Sequence, residues 1–201
     1  SKTVLTGLGH KLIEVDFSEL SSGICSYYVI APAECSSNLS RFDGVKYGYR
    51  SEGEKDIANL YMNTRSDGFG DEVKKRILIG THVLSAGFYD AYYLQAQKVR
   101  RMIKVKFESF FKDVDLIFMP TTLDQAFEKN RKSDDPNRMY KEDLLTIPAN
   151  LAGLPAISFP NGFKNNLPIG GQLIGKYFGE DLLLNTTHKI QEVTDWHKMT
   201  P

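Results

Sequence analysis

Residues 155–176 read PAISFPNGFKNNLPIGGQLIGK, two apolar runs on either side of a polar stretch rich in asparagine and glycine. Short apolar runs bounded by turn residues are typical of strands, so we predict strands at 155–159 and 168–176. The intervening residues 161–166 are predicted to form the turn. This segment therefore indicates a β-sheet in the last quarter of the chain.

Helical spacing of apolar residues predominates before and after this segment. Residues 115–119, DLIFM, are one exception and indicate a buried strand in the centre of the sheet. The predicted helices cover residues 1–9, 23–42, 56–65, 71–85, 89–111, 146–151 and 179–196, and a short strand is predicted at 11–16. Pro32 predicts a kink or a break near Ala31 in the second of these helices. Helices followed by strands mixed with helices indicate an α/β fold, with a mixed β-sheet flanked by helices.

The composition excludes several classes of protein. Lys and Arg number 25 and Asp and Glu number 25, so the net charge of zero predicts no electrostatic footprint for nucleic acid. No apolar run is long enough to span a membrane, and the charged, glycine-containing start does not resemble a signal peptide. The chain begins at Ser1 without a Met, and we expect it to begin inside a longer protein. Cys25 and Cys35 lack metal-site spacing and are predicted to be buried thiols in a reducing compartment.

General catalytic motifs are absent from the sequence. It contains no GxSxG, HExxH or P-loop motif, and its four histidines are scattered, so no metal site is predicted. Ser21 and Ser22 have no neighbouring base or glycine-rich oxyanion cradle. Asp134 and Asp135 form an acidic pair in a polar stretch, which we interpret as solvated. The basic residues of the helix at 89–111 are interpreted as a solvent-exposed face: Lys98, Arg100, Arg101, Lys104 and Lys106.

Six longer blocks change this picture. They include YVIAPAECSSNLSRFDG, GFGDEVKKRI and SAGFYDAYY, and they lie at residues 28–44, 68–77, 85–93, 115–122, 139–155 and 168–175. Together they resemble the amidase-signature family and, within it, the A subunits of glutamyl-tRNA(Gln)/aspartyl-tRNA(Asn) amidotransferases. The sequence departs from the family pattern at Gly171, where Leu is usual, and at Leu123, where Pro is frequent.

The resemblance implies that residues 1–201 are the C-terminal portion of a single amidase-signature domain. The family hydrolyses amides with a serine, a second serine in a cis peptide and a lysine, all in an earlier segment that is absent from this sequence, so no catalytic residue is assigned. In the family, this kind of chain releases ammonia from glutamine for a carbon–nitrogen ligase that makes Gln-tRNA(Gln) or Asn-tRNA(Asn). The expected partners are the B and C subunits in a heterotrimer, with tRNA bound only through a partner. No cofactor is expected here, since the partner uses ATP and Mg²⁺, and the expected location is the bacterial cytoplasm, or a mitochondrion or plastid.

The resemblance also implies a glutamine clamp. Arg76 would bind the α-carboxylate, because a planar guanidinium can donate two parallel hydrogen bonds. Asp143 would bind the α-ammonium, and Tyr27 would line the same end of the substrate. On their chemistry alone these residues have simpler interpretations: Arg76 as a surface ion-pair partner, Asp143 as a helix cap and Tyr27 as a core residue.

Three functional hypotheses remain open at this point. The first is part of a glutamine-dependent amidotransferase, and the combination of Arg76 with Asp143 favours it. The second is another amidase-signature hydrolase that acts on simple amides, which have no zwitterion to hold. The third is a truncated, non-catalytic module that only binds a partner, and the absence of the triad segment favours it for this polypeptide alone.

Overall fold

The computed structural model describes residues 2–53, 55–128 and 142–200. The chain divides into two compact units, one formed by residues 1–24 and 99–201 and the other by residues 25–98. The helices and strands in chain order are α1 (Lys2–Gly7), a 3₁₀ helix (Ser18–Ser22), α2 (Gly23–Leu39), α3 (Ile57–Gly68), α4 (Asp71–Val83), a π-helical turn (Tyr89–Tyr93), α5 (Leu94–Phe110), β1 (Leu116–Pro120), α6 (Ile147–Ala152), β2 (Ala156–Lys164), β3 (Leu167–Gly175), α7 (Glu180–Glu192) and a 3₁₀ helix (Trp196–Lys198).

The unit of residues 25–98 is helical, and its helices begin at clear local signals. The Asp56 carboxylate caps α3 by accepting from the Asn59 amide at 2.9 Å. Gly70 precedes α4, and Asp71 and Glu72 lie in its first turn, where negative charge favours the helix dipole. These signals explain why both helices start where the sequence predicts.

Gly80 sets the contact between α2 and α4. A Cβ added at Gly80 would lie 1.9 Å from the Pro32 carbonyl oxygen and 2.7 Å from the Ser36 Cβ, so the two backbones approach closely there. Beside this point the hydroxyls of Ser36 and Thr81 are 2.9 Å apart and share a hydrogen bond. Helix α2 runs through Pro32 without a break.

The other unit contains the sheet, whose three described strands lie in the order β1-β3-β2. Both pairings are antiparallel; Ile117 pairs with Ile174, and Ile157 with Leu173. The β2–β3 hairpin turns at Asn165 and Asn166, with φ values of 52° and 60°. Asn tolerates positive φ better than other residues with a side chain, so the asparagine pair suits this tight turn.

Strand β3 is buried on both faces. Leu173 joins a core cluster with Leu5, Phe159, Leu183 and Ile190, which places α1 and α7 on that side of the sheet. Because side chains alternate along a strand, Gln172 and Ile174 lie on the opposite face, where they are 3% and 0% exposed. The run QLIG therefore shows the continuous burial typical of a central strand.

The substitution of Gly for Leu at position 171 has a local explanation. A Cβ added at Gly171 would lie 3.0 Å from the Phe118 ring and 3.2 Å from Asn161. The Phe118 ring fills the space that a larger residue at 171 would need, so glycine fits this strand position.

The predicted α/β class, with a sheet flanked by helices, is confirmed, and several details differ. Both pairings among the described strands are antiparallel, so the parallel part of a mixed sheet does not occur within them. Strand β1 pairs only with β3 among the described strands and lies at the edge, not in the centre. Residues 11–16 form no strand, and β2 continues through most of the predicted turn at 161–166.

One prediction about side chains is wrong, and another holds only in part. Cys25 is exposed and Cys35 is partly exposed, so they are not buried thiols. On the basic face of α5, Lys98, Arg100 and Arg101 are exposed as predicted, but Arg100 Nε also donates to the Leu151 carbonyl at 2.9 Å. Lys104 and Lys106 also lie over the rings of Tyr177 and Phe110, at 5.0 and 5.4 Å from the ring centroids. Among the helices of the described residues, none combines the length and apolarity needed to span a membrane.

Candidate functional site

Arg76 lies on α4 with a side chain that is 46% exposed. Its Nε is 3.5 Å from Oε1 of Glu72, one turn earlier on the same helix, and the Glu72 side chain is 57% exposed. Exposed pairs of this kind contribute little to stability, so a competing carboxylate can replace Glu72 at small cost. The geometry fits a surface ion pair, and it also leaves the guanidinium accessible to a ligand.

Tyr27 is half-buried on α2. Its ring contacts that of Tyr28 edge to face, with centroids 5.1 Å apart and an interplanar angle of 85°. This arrangement is typical of aromatic packing and agrees with the simpler interpretation of Tyr27.

Asp143 is half-buried in the turn that leads into α6. Its backbone carbonyl accepts from the amides of Thr146 and Ile147 at 3.1 and 3.0 Å, and from the Thr146 hydroxyl at 3.2 Å. Pro148 follows in the first turn of α6, where its missing N–H removes no helical bond. The Asp143 backbone thus closes the turn.

The three predicted residues are divided between the two units. Arg76 and Tyr27 belong to the unit of residues 25–98, on helices that contact each other at Gly80, whereas Asp143 belongs to the unit with the sheet. The clamp of all three residues stays a prediction. The acidic pair Asp134 and Asp135 lies outside the described residues.

A polar pair that sequence reasoning did not identify joins α2 to the π-helical turn. The Tyr93 hydroxyl donates to Glu34 Oε1 at 3.1 Å, and the Tyr93 ring stacks on that of Tyr89 with centroids 5.2 Å apart. Burial raises the pKa of Tyr93 above its usual value, the Glu34 carboxylate adds to the increase, and a hydrogen bond with Gln97 opposes it. The two residues are 59 positions apart in the chain, so no spacing along a single helix could have predicted this pair.

Other reactive side chains have structural roles. The Ser21 hydroxyl donates to the Ser18 carbonyl at 3.0 Å within the 3₁₀ helix. The His82 ring packs against that of Phe88 with centroids 4.2 Å apart. Within the described ranges, no three His, Cys, Asp or Glu side chains gather closely enough to hold a metal ion.

Comparison with known proteins gives consistent matches. Residues 1–184 match the family model described as Amidase. The chain is 58% identical, over 98% of its length, to the A subunit of the glutamyl-tRNA(Gln) amidotransferase of Hahella chejuensis. It is 55% identical, over 100% of its length, to the protein of the same name from Coxiella burnetii. The chain spans only 41% of the length of each of these two relatives.

Solved structures agree with these matches. The A subunit of the glutamyl-tRNA(Gln) amidotransferase of Thermotoga maritima superposes with a TM-score of 0.63 and 41% identity, over 90% of this chain and 34% of that one. A 6-aminohexanoate cyclic dimer hydrolase superposes with a TM-score of 0.68 over 99% of this chain and 41% of that one. Its identity is 20%, so this likeness concerns the fold alone.

Proposed function

Because the chain belongs to the amidase family, we propose that it forms part of the glutamine-hydrolysing A subunit of a tRNA-dependent amidotransferase. The observation that carries the proposal is the high identity, along nearly the whole chain, to relatives named as the A subunits of glutamyl-tRNA(Gln) amidotransferases. The reaction is the release of ammonia from glutamine for the conversion of Glu-tRNA(Gln) to Gln-tRNA(Gln). The same chemistry would serve Asp-tRNA(Asn).

In this proposal the chain supplies the glutamine-binding part of the site. Glutamine carries an α-carboxylate and an α-ammonium at the end remote from its amide, and a site must hold that end to position the amide for attack. Arg76 binds the carboxylate, Asp143 binds the ammonium and Tyr27 lines the pocket. The serine nucleophile, the cis-peptide serine and the lysine belong to a part of the enzyme outside these 201 residues.

Arg76 has the accessibility that this role needs. Its side chain is about half exposed and its ion-pair partner Glu72 is more so, which makes the pair easy to exchange for a substrate carboxylate. A guanidinium also provides parallel N–H donors that match both carboxylate oxygens. A lysine at this position would offer only a point charge.

The partners follow from the same reaction. The B and C subunits complete a heterotrimer, and the partner that binds tRNA uses ATP and Mg²⁺ to activate the acceptor, while the glutamine-hydrolysing protein needs no cofactor of its own. The zero net charge of this chain supports tRNA binding by one of its partners. We propose the cytoplasm as the site of the reaction.

The exposed apolar side chains favour a second candidate, a module that acts only by binding protein. Phe178 is 94% exposed, Leu78 71% and Met102 69%, which is unusual for large apolar residues. Exposed apolar surface of this kind favours contact with other protein, here the rest of the same enzyme. In this alternative the polypeptide contributes to assembly without binding glutamine.

The two candidates predict different results in a glutaminase assay. Ammonia release would be measured for the 201-residue chain alone, for the chain with the B and C subunits, and for the full-length protein with the same partners. We expect release only with the full-length protein, and a glutamine KM that rises for Asp143→Asn. Release of ammonia by the chain alone would place a nucleophile within it. A glutamine KM of the full-length protein that does not change when Arg76 or Asp143 is substituted would favour the assembly module.

A further inference from the structure

Gln172 is a buried polar side chain in the middle of the sheet. It lies on β3 directly before Leu173 and Ile174, and it is 3% exposed. Its Nε2 donates to the Pro120 carbonyl at 3.1 Å and to the Leu145 carbonyl at 2.9 Å. A buried side-chain amide without hydrogen-bond partners is costly, so these two bonds explain how a polar glutamine can occupy this position in an apolar strand.

The two carbonyls belong to different elements. Pro120 ends β1, which the ladder already holds in register with β3, since Pro120 pairs with Gly171. Leu145 belongs to the turn at 143–146, which lies outside the ladder. The bond to Leu145 therefore tethers the turn to the sheet, whereas the bond to Pro120 only reinforces an existing pairing.

The tethered turn carries Asp143. The Asp143 carbonyl accepts from the amides of Thr146 and Ile147, so the backbone from 143 to 147 is closed by its own hydrogen bonds. Ile147 is 2% exposed and anchors the far side of the turn in the core. A displacement of the Leu145 carbonyl would thus also move Asp143, two residues earlier.

We propose that Gln172 is a positioning residue that fixes the turn carrying Asp143 and so sets the preference for substrates with an α-ammonium group. This inference rests on the proposed function, in which Asp143 binds that ammonium. Gln172→Met keeps a side chain of similar length that cannot donate, so the Leu145 carbonyl loses its donor and the turn relaxes. The attraction between a carboxylate and an ammonium weakens as their separation grows, and an amide without that group does not use it.

The test uses the full-length protein in complex with its partners, and two amides, glutamine and a simple primary amide without α-substituents. Gln172→Met, Asp143→Asn and the double variant are compared with Thr187→Val as a control. Thr187 is 5% exposed and its hydroxyl has no hydrogen-bond partner within the described structure, so its loss should change neither substrate's kinetics. Hydrogen exchange at the Thr146 and Ile147 amides reports on the turn without reference to activity.

Gln172→Met is expected to raise the glutamine KM about tenfold, to leave kcat/KM for the simple amide within about twofold, and to speed exchange at both amides. In the Asp143→Asn background it should add less than about twofold, because residues that act through each other are not additive. If Gln172→Met does not fold, Gln172→Leu carries the same test, since its apolar side chain cannot donate either.

Each other outcome overturns the inference in a recognisable way. Equal losses with both amides, or additive losses in the double variant, would mean that Gln172 acts on the fold as a whole. An effect of Asp143→Asn with normal kinetics for Gln172→Met would overturn the positioning role alone. An unchanged glutamine KM in Asp143→Asn would overturn the assignment of Asp143 in the proposed function, and the role of Gln172 with it.

Discussion

Arg76 Nε lies 3.5 Å from Glu72 Oε1, and the two residues are one turn apart on the exposed face of α4. The Glu precedes the Arg by four residues, which is the favourable order for a pair on a helix, yet such pairs stabilise a helix by only about 0.3–0.5 kcal/mol. An arginine held this weakly by Glu72 can bind a second carboxylate. Because Glu72 contacts Arg76 without contacting the substrate in the proposed site, a variant at Glu72 serves as a control for any role of Arg76 in substrate binding.

Arg76→Ala in the full-length, assembled enzyme should weaken glutamine binding by roughly 2–5 kcal/mol, the range for removing one partner of a desolvated ion pair. This corresponds to an increase in KM of about 30-fold or more. Simple amides, which lack the carboxylate, should lose little. Steady-state ammonia release with both substrates measures the difference, and a glutamine KM within about twofold of the parent would reject the assignment.

Glu72→Gln and Arg76→Lys are the matched variants. Glu72→Gln removes the helical partner and keeps the guanidinium, so the glutamine KM should stay unchanged or fall slightly. Arg76→Lys keeps the charge and loses the paired donors, so its KM should lie between those of the parent and the Ala variant. Equal effects of Glu72→Gln and Arg76→Ala would attribute both to the stability of α4.

Gly80→Ala should be strongly destabilising, although Ala is the better helix former. The added methyl would lie 1.9 Å from the Pro32 carbonyl oxygen, which is backbone and cannot rotate away. We expect a loss of about 3 kcal/mol or more in the free energy of unfolding, at or beyond the upper end of overpacking effects. Urea denaturation measures it, and Gly7→Ala, where nothing lies within 4 Å, should be neutral or slightly stabilising. A similar midpoint for both variants would mean that α2 and α4 do not approach as closely as described.

Features that depend on local signals were predictable from the sequence. The helices predicted to begin at residues 56 and 71 begin at Ile57 and Asp71, and the two apolar runs at 155–176 form β2 and β3. The long-range features were not. The position of β1 at an edge depends on which strand pairs with which, and residues 11–16 have strand-like alternation while Leu12 and Ile13 are 43% and 49% exposed. Alternation alone does not supply a partner strand.

The candidate site shows the same division. The family resemblance is confirmed by the match over residues 1–184, but the identification of Arg76, Asp143 and Tyr27 depends on block similarity and not on chemistry visible in the sequence. Arg76 has the context of an ordinary surface arginine. Contacts such as Gln172 with Leu145 join residues 27 positions apart, which no spacing rule predicts.

Tyr93 should make the fold sensitive to alkaline pH. Its pKa is raised mainly by burial, so the folded protein holds the phenol proton more tightly than the unfolded chain does. The contribution is complete below the unfolded pKa of about 10 and is lost as the pH rises through the higher folded pKa. Tyr93→Phe should therefore lose less stability than the parent when urea midpoints are compared at pH 9 and about pH 11. Glu34→Gln should reduce the loss of stability between the two pH values only in part. The same loss in the parent and both variants would contradict the assignment of this pH dependence to Tyr93.

Arg100 and Arg101 are adjacent on α5 and provide a matched comparison. Arg100 Nε donates to the Leu151 carbonyl at 2.9 Å, near the C-terminal end of α6, where a positive charge is favourable. Arg101 is exposed. Arg100→Met should lower the free energy of unfolding by about 1–3 kcal/mol, since a part-buried carbonyl loses a charged donor. Arg101→Met should stay within about 0.5 kcal/mol of the parent.

Both Met variants retain an unbranched side chain that can cover the helix surface, so the difference between them isolates the hydrogen bond from the packing of the arginine stem. Urea denaturation of the full-length protein carrying each variant measures that difference. A larger loss for Arg100→Met would mean that the basic stretch of α5 fixes α6, and with it the turn that carries Asp143. Equal midpoints would mean that Arg100, like the rest of the predicted solvent-exposed face, contributes little to stability. The position of α6 would then depend on the packing of Ile147 and Leu151, which are 2% and 6% exposed.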